Sequence, residues 1–441
     1  MKNKVKSRAG ARKNAHIKAI EEEPKKHSRL HRIAGWTAIG SAVCIGVIII
    51  SFFALSTWPA LGAQGADILR NIIGDKAVAG LEMQFNQVQD AFLKLEYQLG
   101  LKTPTAPWNP LQTPAQTFTP TILFTKTTNS TPEIRTPVTF QSTTTSAFLN
   151  TPEPTYAPTP TVWQPVALTP LGNAAGEGVW SAYIQDAKGD SVAYRTFLQP
   201  DPNRPYTLVA VVAIDLIRTQ LHFVLGTIEP AGPDVPPHSG AIPQTDRAAN
   251  VLLAAFNGGF KARHGQFGAM SNGILALPPR DGLGTLVIYK SGRVSLGEWE
   301  AGMTITPDMN ALRQNGPLVI QQGEINPRIY NNSPQDWGYT VNDVSPTVRS
   351  GVGLSADEKT LFYFCGPSLS MEALAKSMQA AGAWNAIQLD INNYWVLFVK
   401  MQPSGSKIMP EPLLPRLMVA NVDRYLWNYS RDYFYLTSIT R

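Results

Sequence analysis

Cysteine is almost missing from this chain. There are 2 among 441 residues, Cys44 and Cys365. They lie far apart, in segments of unlike character, so no disulfide framework can be built from them. Any folded part must be held by burial. Cys365, within Leu361-Phe-Tyr-Phe-Cys365, reads as a small buried hydrophobe, with a nucleophile as the other reading. Histidine is scarce too, 6 in all, and His16, His27 and His31 precede the first apolar span. The remaining three are too scattered to suggest a zinc site. There is no nucleotide-binding glycine loop, no GxSxG elbow and no HExxH helix.

Charge is sparse at 16% and unevenly placed. Residues 1–32 hold 11 lysines and arginines against Glu21, Glu22 and Glu23, a net +8. Taking +8 from the whole-chain +6 leaves −2 for the rest. A basic tail alone can meet nucleic acid, but nothing after it forms a basic stripe or a base-stacking motif, so no nucleic-acid partner is expected. Beside an apolar span, the same basic run is a topology signal.

That span is 33–58, IAGWTAIGSAVCIGVIIISFFALSTW, without one charged residue. About 20 residues suffice to cross a ~30 Å hydrocarbon core. Trp36 and Trp58 stand near its ends, where amphipathic rings favour the interface. The basic residues place 1–32 in the cytoplasm and everything after Trp58 outside. The expectation is a single-pass cell-membrane protein with an extracellular C-terminal domain. A cleaved signal peptide is the alternative, with small residues at Ala60-Leu-Gly-Ala63, but the run is long for one.

Residues 64–100 repeat apolar residues at mixed three- and four-residue steps, which predicts an amphipathic juxtamembrane helix weakened by Gly74 and Gly80. Its stripe must be covered. The membrane face, self-association through 64–100, or the distal domain would each do so. Residues 101–170 are a Pro/Thr-rich stalk holding 13 of the 35 prolines. That composition predicts disorder. As extended polyproline at ~3.1 Å per residue, such a stalk reaches on the order of 200 Å. It is also a candidate for O-glycosylation, with a plain spacer as the other reading.

From 171 to 441 the pattern becomes globular. Strand-length runs occur at Thr207–Leu216, Leu221–Leu225, Val251–Phe256, Gly284–Tyr289, Leu318–Gln321 and Leu361–Phe364. They are rich in β-branched and aromatic residues. One helix is expected at Met371–Ala381, with Ser370 as N-cap and Gly382 just past its end. Asn385–Asp390 reads as a buried strand ending on an acid. The predicted class is α+β: a mixed, mostly β domain with few helices, preceded by the transmembrane helix, the amphipathic helix and the stalk.

Chemistry, if present, resides in polar and glycine residues at strand ends. Asn257-Gly258-Gly259 follows an apolar strand, so its glycines allow a close backbone approach and its amides can face an anion. A tight turn is the plain reading, as it is for Ser271-Asn272-Gly273 and Asn315-Gly-Pro317. Arg349 precedes a small-residue strand that needs no arginine; its planar fork suits phosphate, and a structural ion pair is the alternative. Asp390 can serve as base, nucleophile or ligand, or cap a turn.

Taken in order over roughly Thr207 to Val422, these pieces resemble the phosphodiester glycosidase family. The set comprises Ile214-Asp-Leu216, Asn257-Gly-Gly-Phe260, Ser271-Asn-Gly273 and Asn315-Gly-Pro-Leu318. It continues through Arg349-Ser-Gly-Val-Gly353, the helix Leu374–Ala383 and Leu389-Asp390. The resemblance implies hydrolysis of a sugar–phosphodiester bond of an envelope or extracellular glycan. Asp390, Arg349 and Asn257 would be catalytic. Gly258, Gly259, His264, Asn272 and Asn392 would contact substrate, with Lys261 and Arg263 near the phosphate. No cofactor is indicated, a divalent cation is left open, and no metal ligand is assigned. The chain departs from the family in two places: Lys261-Ala-Arg-His264 follows Phe260 where a further aromatic is common, and Asp390-Ile-Asn-Asn-Tyr-Trp395 stands where Asp-Gly-Gly is usual. Side chains then occupy space that glycine leaves open. A glycan-binding or scaffold module that has lost catalysis is the second reading.

Overall fold

The computed structural model describes residues 69, 72–101, 103–108 and 163–439, less 231, 233–236, 332, 339–345 and 406. The basic tail 1–32 and the apolar span 33–58 lie outside the described residues. Among those described, no helix is long and apolar enough to cross a membrane.

The C-terminal part is a mostly β domain of three antiparallel sheets. The largest has eight strands, in the order Ser181–Gln185, Ser191–Leu198, Val209–Asp215, Thr360–Leu369, Thr347–Leu354, Asn385–Gln388, Ile320–Gln321 and Glu324–Ile325. A five-stranded sheet runs Lys407–Pro412, Phe398–Ser404, Leu252–Asn257, Tyr433–Ser438, Thr219–Val224. The third runs Ile274–Leu277, Ala269–Ser271, Met309–Gln314, Leu283–Tyr289, Val294–Trp299.

Successive side chains on a strand point to opposite faces, and the large sheet is covered on both. Ala210, Val212 and Ile214 enter one core with Phe256, Phe398 and Phe434, whereas Val209, Val211 and Ala213 enter a second. That explains a strand written as one continuous apolar run. The second core lies under the helix Met371–Ala380, through Met371, Leu374 and Met378. Ser370 caps that helix, its hydroxyl accepting from the Ala373 amide at 3.2 Å, and Gly382 takes φ +84° just beyond it. Cys365 faces the first core and is fully buried, where burial drives its thiol pKa upward. The small-hydrophobe reading fits that place.

The long helix is described from Asp75 to Gln98 and starts after Gly74, whose φ of +85° only glycine holds easily. One face of it lies against the domain. Asp90 accepts from the Tyr206 hydroxyl at 3.0 Å and stands 3.6 Å from Arg204. Asn86 reaches Thr347, and Tyr97 meets the Tyr206 ring.

The Pro/Thr-rich segment is seated at both ends. Trp108 packs edge-on against Phe197 and under the Arg195 guanidinium, 4.6 Å away, while Trp163 packs against Tyr194. Residues 109–162, most of the stalk expected over 101–170, lie outside the described residues.

Candidate active site

The strand Leu252–Asn257 is buried at every position, between Phe398–Ser404 and Tyr433–Ser438. It delivers Asn257-Gly258-Gly259 to the sheet's end. The neighbouring strand in the large sheet, Asn385–Gln388, delivers Asp390. The lead-in to Tyr433–Ser438 carries Arg431 and Asp432. The site is where these three chain ends meet.

Asp390 is buried and fixed by short bonds. Its Oδ1 accepts from the amides of Ile391 at 2.8 Å and Asn392 at 3.0 Å, an Asx turn. Its Oδ2 accepts from Arg431 Nη2 at 2.6 Å, and the same Nη2 donates to the Gly259 carbonyl at 2.8 Å. Burial disfavours the Arg431 charge, but Asp390 and Asp432 outweigh it and raise the arginine's pKa. Arg431 Nε has no hydrogen-bond partner among the described residues. The guanidinium lies 4.7 Å from the Trp395 ring centre, with Lys261 Nζ 5.5 Å from the same ring.

His264 completes this edge from the short turn Ala262–His264. Burial first, then the Arg263 charge, pushes its pKa down to about 4. Arg263 Nε donates to His264 Nε2 at 3.2 Å, which assigns the ring proton to Nδ1. The mouth thus sets one carboxylate among Lys261, Arg263 and Arg431, beside a neutral imidazole and an indole. The three cations outnumber the one carboxylate, a balance suited to an anion.

Several expected site residues do something else. Asn257 spends its whole amide inside the protein. Its Oδ1 accepts from Tyr363 OH at 2.8 Å and the Leu397 amide at 3.3 Å, and its Nδ2 donates to Ser350 Oγ and the Gly258 carbonyl, both at 3.0 Å. Arg349 is fully buried. Its guanidinium donates to Gln388 Oε1 at 2.6 Å and to the carbonyls of Leu369 and Trp337. These bonds tie the Thr347–Leu354 strand to its neighbours. Ser350 on the same strand accepts Asn257 and donates to the Asp390 carbonyl at 2.7 Å. Arg349 and Asn257 are thus both held by bonds within the protein.

The amides of Gly258 and Gly259 both turn to Asp432, one to its carbonyl and one to its carboxylate. Gly259 donates to Asp432 Oδ2 at 3.1 Å and Gly258 to the Asp432 carbonyl. Asp432 Oδ2 also takes a 2.8 Å bond from Arg313, both side chains being essentially unexposed. A Cβ on Gly258 would stand 2.1 Å from Asp432 Oδ2, and one on Gly259 2.8 Å from Arg313 and Asn315. Glycine here makes room for the Asp432–Arg313 ion pair.

Asn272 lies apart from this cluster. Asn272 and Gly273 both take positive φ, 49° and 77°, between Ala269–Ser271 and Ile274–Leu277. That is a two-residue hairpin turn. Asn272 lines a separate cleft of about 540 Å³ with His222, His238 and Asn310, to which Asp390 and Arg431 do not contribute. Asn392 does sit beside Asp390, its Oδ1 accepting from the Tyr394 amide. Neither Ile391 nor Asn392 has positive φ, so the departure from Asp-Gly-Gly costs no backbone strain here.

Among the described residues there is no cluster of three or more His, Cys, Asp or Glu side chains. The open question of a divalent cation meets a poor fit at this mouth, because a guanidinium already occupies the free face of Asp390.

Comparison with known proteins bears on the same region. Residues 250–390 match the family model of phosphodiester glycosidase. The match spans Asn257 to Asp390 and stops before Trp395, Arg431 and Asp432. No curated protein matches the chain in sequence. Among solved structures, it is similar to the zebrafish N-acetylglucosamine-1-phosphodiester alpha-N-acetylglucosaminidase catalytic domain, described as auto-inhibited by its pro-peptide. Identity is 16% and the TM-score 0.37, over 59% of this chain and 88% of that one. A protein of Synechocystis is 12% identical at TM-score 0.30, over 59% and 62%.

Proposed function

We propose, from the premise that residues 250–390 make this chain a divergent member of the phosphodiester glycosidase family, that it hydrolyses sugar–phosphodiester bonds at the mouth around Asp390. The single observation that carries this reading is the 2.6 Å Asp390–Arg431 pair set against Trp395 and Lys261.

The chemistry fits that inventory. Ordinary glycosidases need two carboxylates, one of them to protonate a poor leaving group. A phosphate leaves as a stable anion and needs little protonation. It needs cations placed where charge grows, which stabilise the transition state electrostatically. Arg431, with Lys261 and Arg263, fills that role. Asp390 takes a proton from water as it adds to the anomeric carbon. The sugar–oxygen bond breaks, the free sugar and a phosphomonoester leave, and the proton passes from Asp390 to solvent. Trp395 offers its ring to the sugar. His264, uncharged at neutral pH, offers a hydrogen bond without adding charge.

The substrate is a glycan phosphodiester of the envelope or the extracellular space. This part of the proposal rests on the charge-free stretch 33–58 behind a basic leader, which anchors the chain in the cell membrane with its domain outside. A second reading, a glycan-binding module without turnover, draws on the fact that both Asp390 oxygens already hold internal bonds.

The test is turnover of a GlcNAc-1-phosphodiester by the full chain in membranes, beside Asp390→Asn. Release of sugar that is lost in the variant supports hydrolysis. Equal turnover in both removes Asp390 from the reaction. Saturable binding without product favours the binding module.

A further inference from the structure

One surface is apolar, exposed and unrelated to the Asp390 mouth. On the helix Asp75–Gln98 and its C-cap, Leu81, Phe85, Val88, Phe92, Leu95 and Leu99 follow one another at steps of four, three, four, three and four residues. That alternation is a heptad seam over about three repeats. Phe85 is half-buried. The other five are 50% to 63% exposed, although burial of such side chains is what an amphipathic helix requires. The seam is not the face that docks on the domain. Docking uses Asn86, Asp90 and Tyr97, through Thr347, Arg204 and Tyr206. At about 100° per residue, those three positions lie on the opposite side of the helix from the seam.

We propose that this seam pairs with the same seam of a second copy of the chain, as a parallel two-stranded coiled coil. The spacing itself selects the occupant. A flat membrane surface or a sheet edge makes no demand for a 3.5-residue period, whereas an identical helix meets it, each knob entering a hole of the facing seam. The flanking positions agree. In the parallel register Gln84 faces Gln89, and Ala91 faces Glu96, of the second copy. No like charges meet across these pairs, since the acidic Glu96 faces an alanine. With each domain on the far side of its own helix, the two copies pair without the domains colliding. Docking on the domain also preorganises the helix, offsetting the marginal stability of so short a coil in isolation.

The experiment uses the full chain in membranes, in a Cys44→Ser background where the buried Cys365 is the remaining thiol. Leu95→Cys places a thiol in the seam, and Lys94→Cys places one on the exposed flank. Mild oxidation is expected to join Leu95→Cys chains into a covalent dimer and to leave Lys94→Cys chains single. Val88→Asp, added to Leu95→Cys, is expected to abolish the cross-link. Four results overturn the proposal. Leu95→Cys chains that do not join show that no such seam forms. Equal joining through Lys94→Cys reports random collision. A cross-link that survives Val88→Asp places the interface elsewhere. Joining of Leu95→Cys only to Phe85→Cys, in a mixture, overturns the parallel arrangement, because that pairing belongs to antiparallel helices.

Discussion

Asp390 and Arg431 are 41 residues apart in sequence and share a 2.6 Å hydrogen bond between Oδ2 and Nη2. The pair joins two sheets. Asp390 follows a strand of the large sheet, and Arg431 leads into Tyr433–Ser438 of the five-stranded one. Next to Arg431, Asp432 binds Arg313 at 2.8 Å and so reaches the third sheet. Two consecutive residues therefore tie all three sheets together at the point where the glycine turn ends. The more exposed of the two pairs opens on the mouth, and the fully buried one supports it.

The two arginines that lie near Asp390 in the fold should separate cleanly by experiment. Arg431→Gln keeps a hydrogen-bonding group but removes the charge that meets the phosphate. Its expected effect is a loss of turnover of roughly 10²- to 10³-fold, typical of losing one transition-state donor. Arg349→Met instead takes the Arg349 donor from the Leu369 carbonyl and Gln388 Oε1 in the interior, while the Trp337 carbonyl keeps its 2.9 Å bond from Gln388 Nε2. Each buried acceptor left without its donor costs about 1–3 kcal/mol. The expected result is a lower melting temperature, read by calorimetry, with residual activity following the folded fraction. Similar kinetics and stability for the two variants would contradict the separation.

His264 predicts a pH dependence with a definite sign. Its folded pKa is depressed to about 4, mainly by burial, against about 6.5 for an unperturbed histidine. The unfolded chain binds the proton more readily, so stability is fully present above pH 6.5. It falls as pH drops through the window down to about 4, and levels off below it as far as this group is concerned. His264→Gln should flatten the urea-midpoint curve between those limits. An unchanged slope would show that the imidazole is solvated and not held neutral.

Strand runs and the capped helix were legible because apolar periodicity and capping are local signals. Val209–Asp215, Leu252–Asn257 and Met371–Ala380 fall within a residue or two of expectation. The Asp390–Arg431 pairing was not legible. Arg431 and Asp432 stand in Ser430-Arg-Asp-Tyr433, which has no glycine turn or periodicity to mark it and lies beyond the family resemblance. Only the antiparallel register of Tyr433–Ser438 on Leu252–Asn257, with Tyr433 opposite Asn257, brings them to the turn. Arg349 shows the same limit of local pattern: the partners of its guanidinium lie 12 to 39 residues away and are set by the fold. The docking of Trp108 and Trp163 was hidden by composition, since a Pro/Thr-rich average conceals two ring contacts at its ends.

Gly258 offers the sharpest test of the supporting pair. A methyl group there would meet Asp432 Oδ2 at 2.1 Å and its Cγ at 2.5 Å, far inside contact distance. The carboxylate has nowhere to go, because Arg313 Nε and the Gly259 amide hold the same oxygen at 2.8 and 3.1 Å. Gly258→Ala must therefore displace the turn or break the ion pair. Overpacking a well-filled interior costs about 1–3 kcal/mol, and breaking a buried pair costs about 3–5 kcal/mol. A shift in denaturation midpoint within that combined range is expected. Asp432→Asn is the companion variant: it makes no room for the methyl but removes the charge facing Arg313. If the clash drives the effect, Gly258→Ala remains destabilising in the Asp432→Asn background. If it acts through the lost ion pair, the second substitution adds little to the first. A Gly258→Ala chain as stable as the parent would mean that the turn does not pack on Asp432 at all.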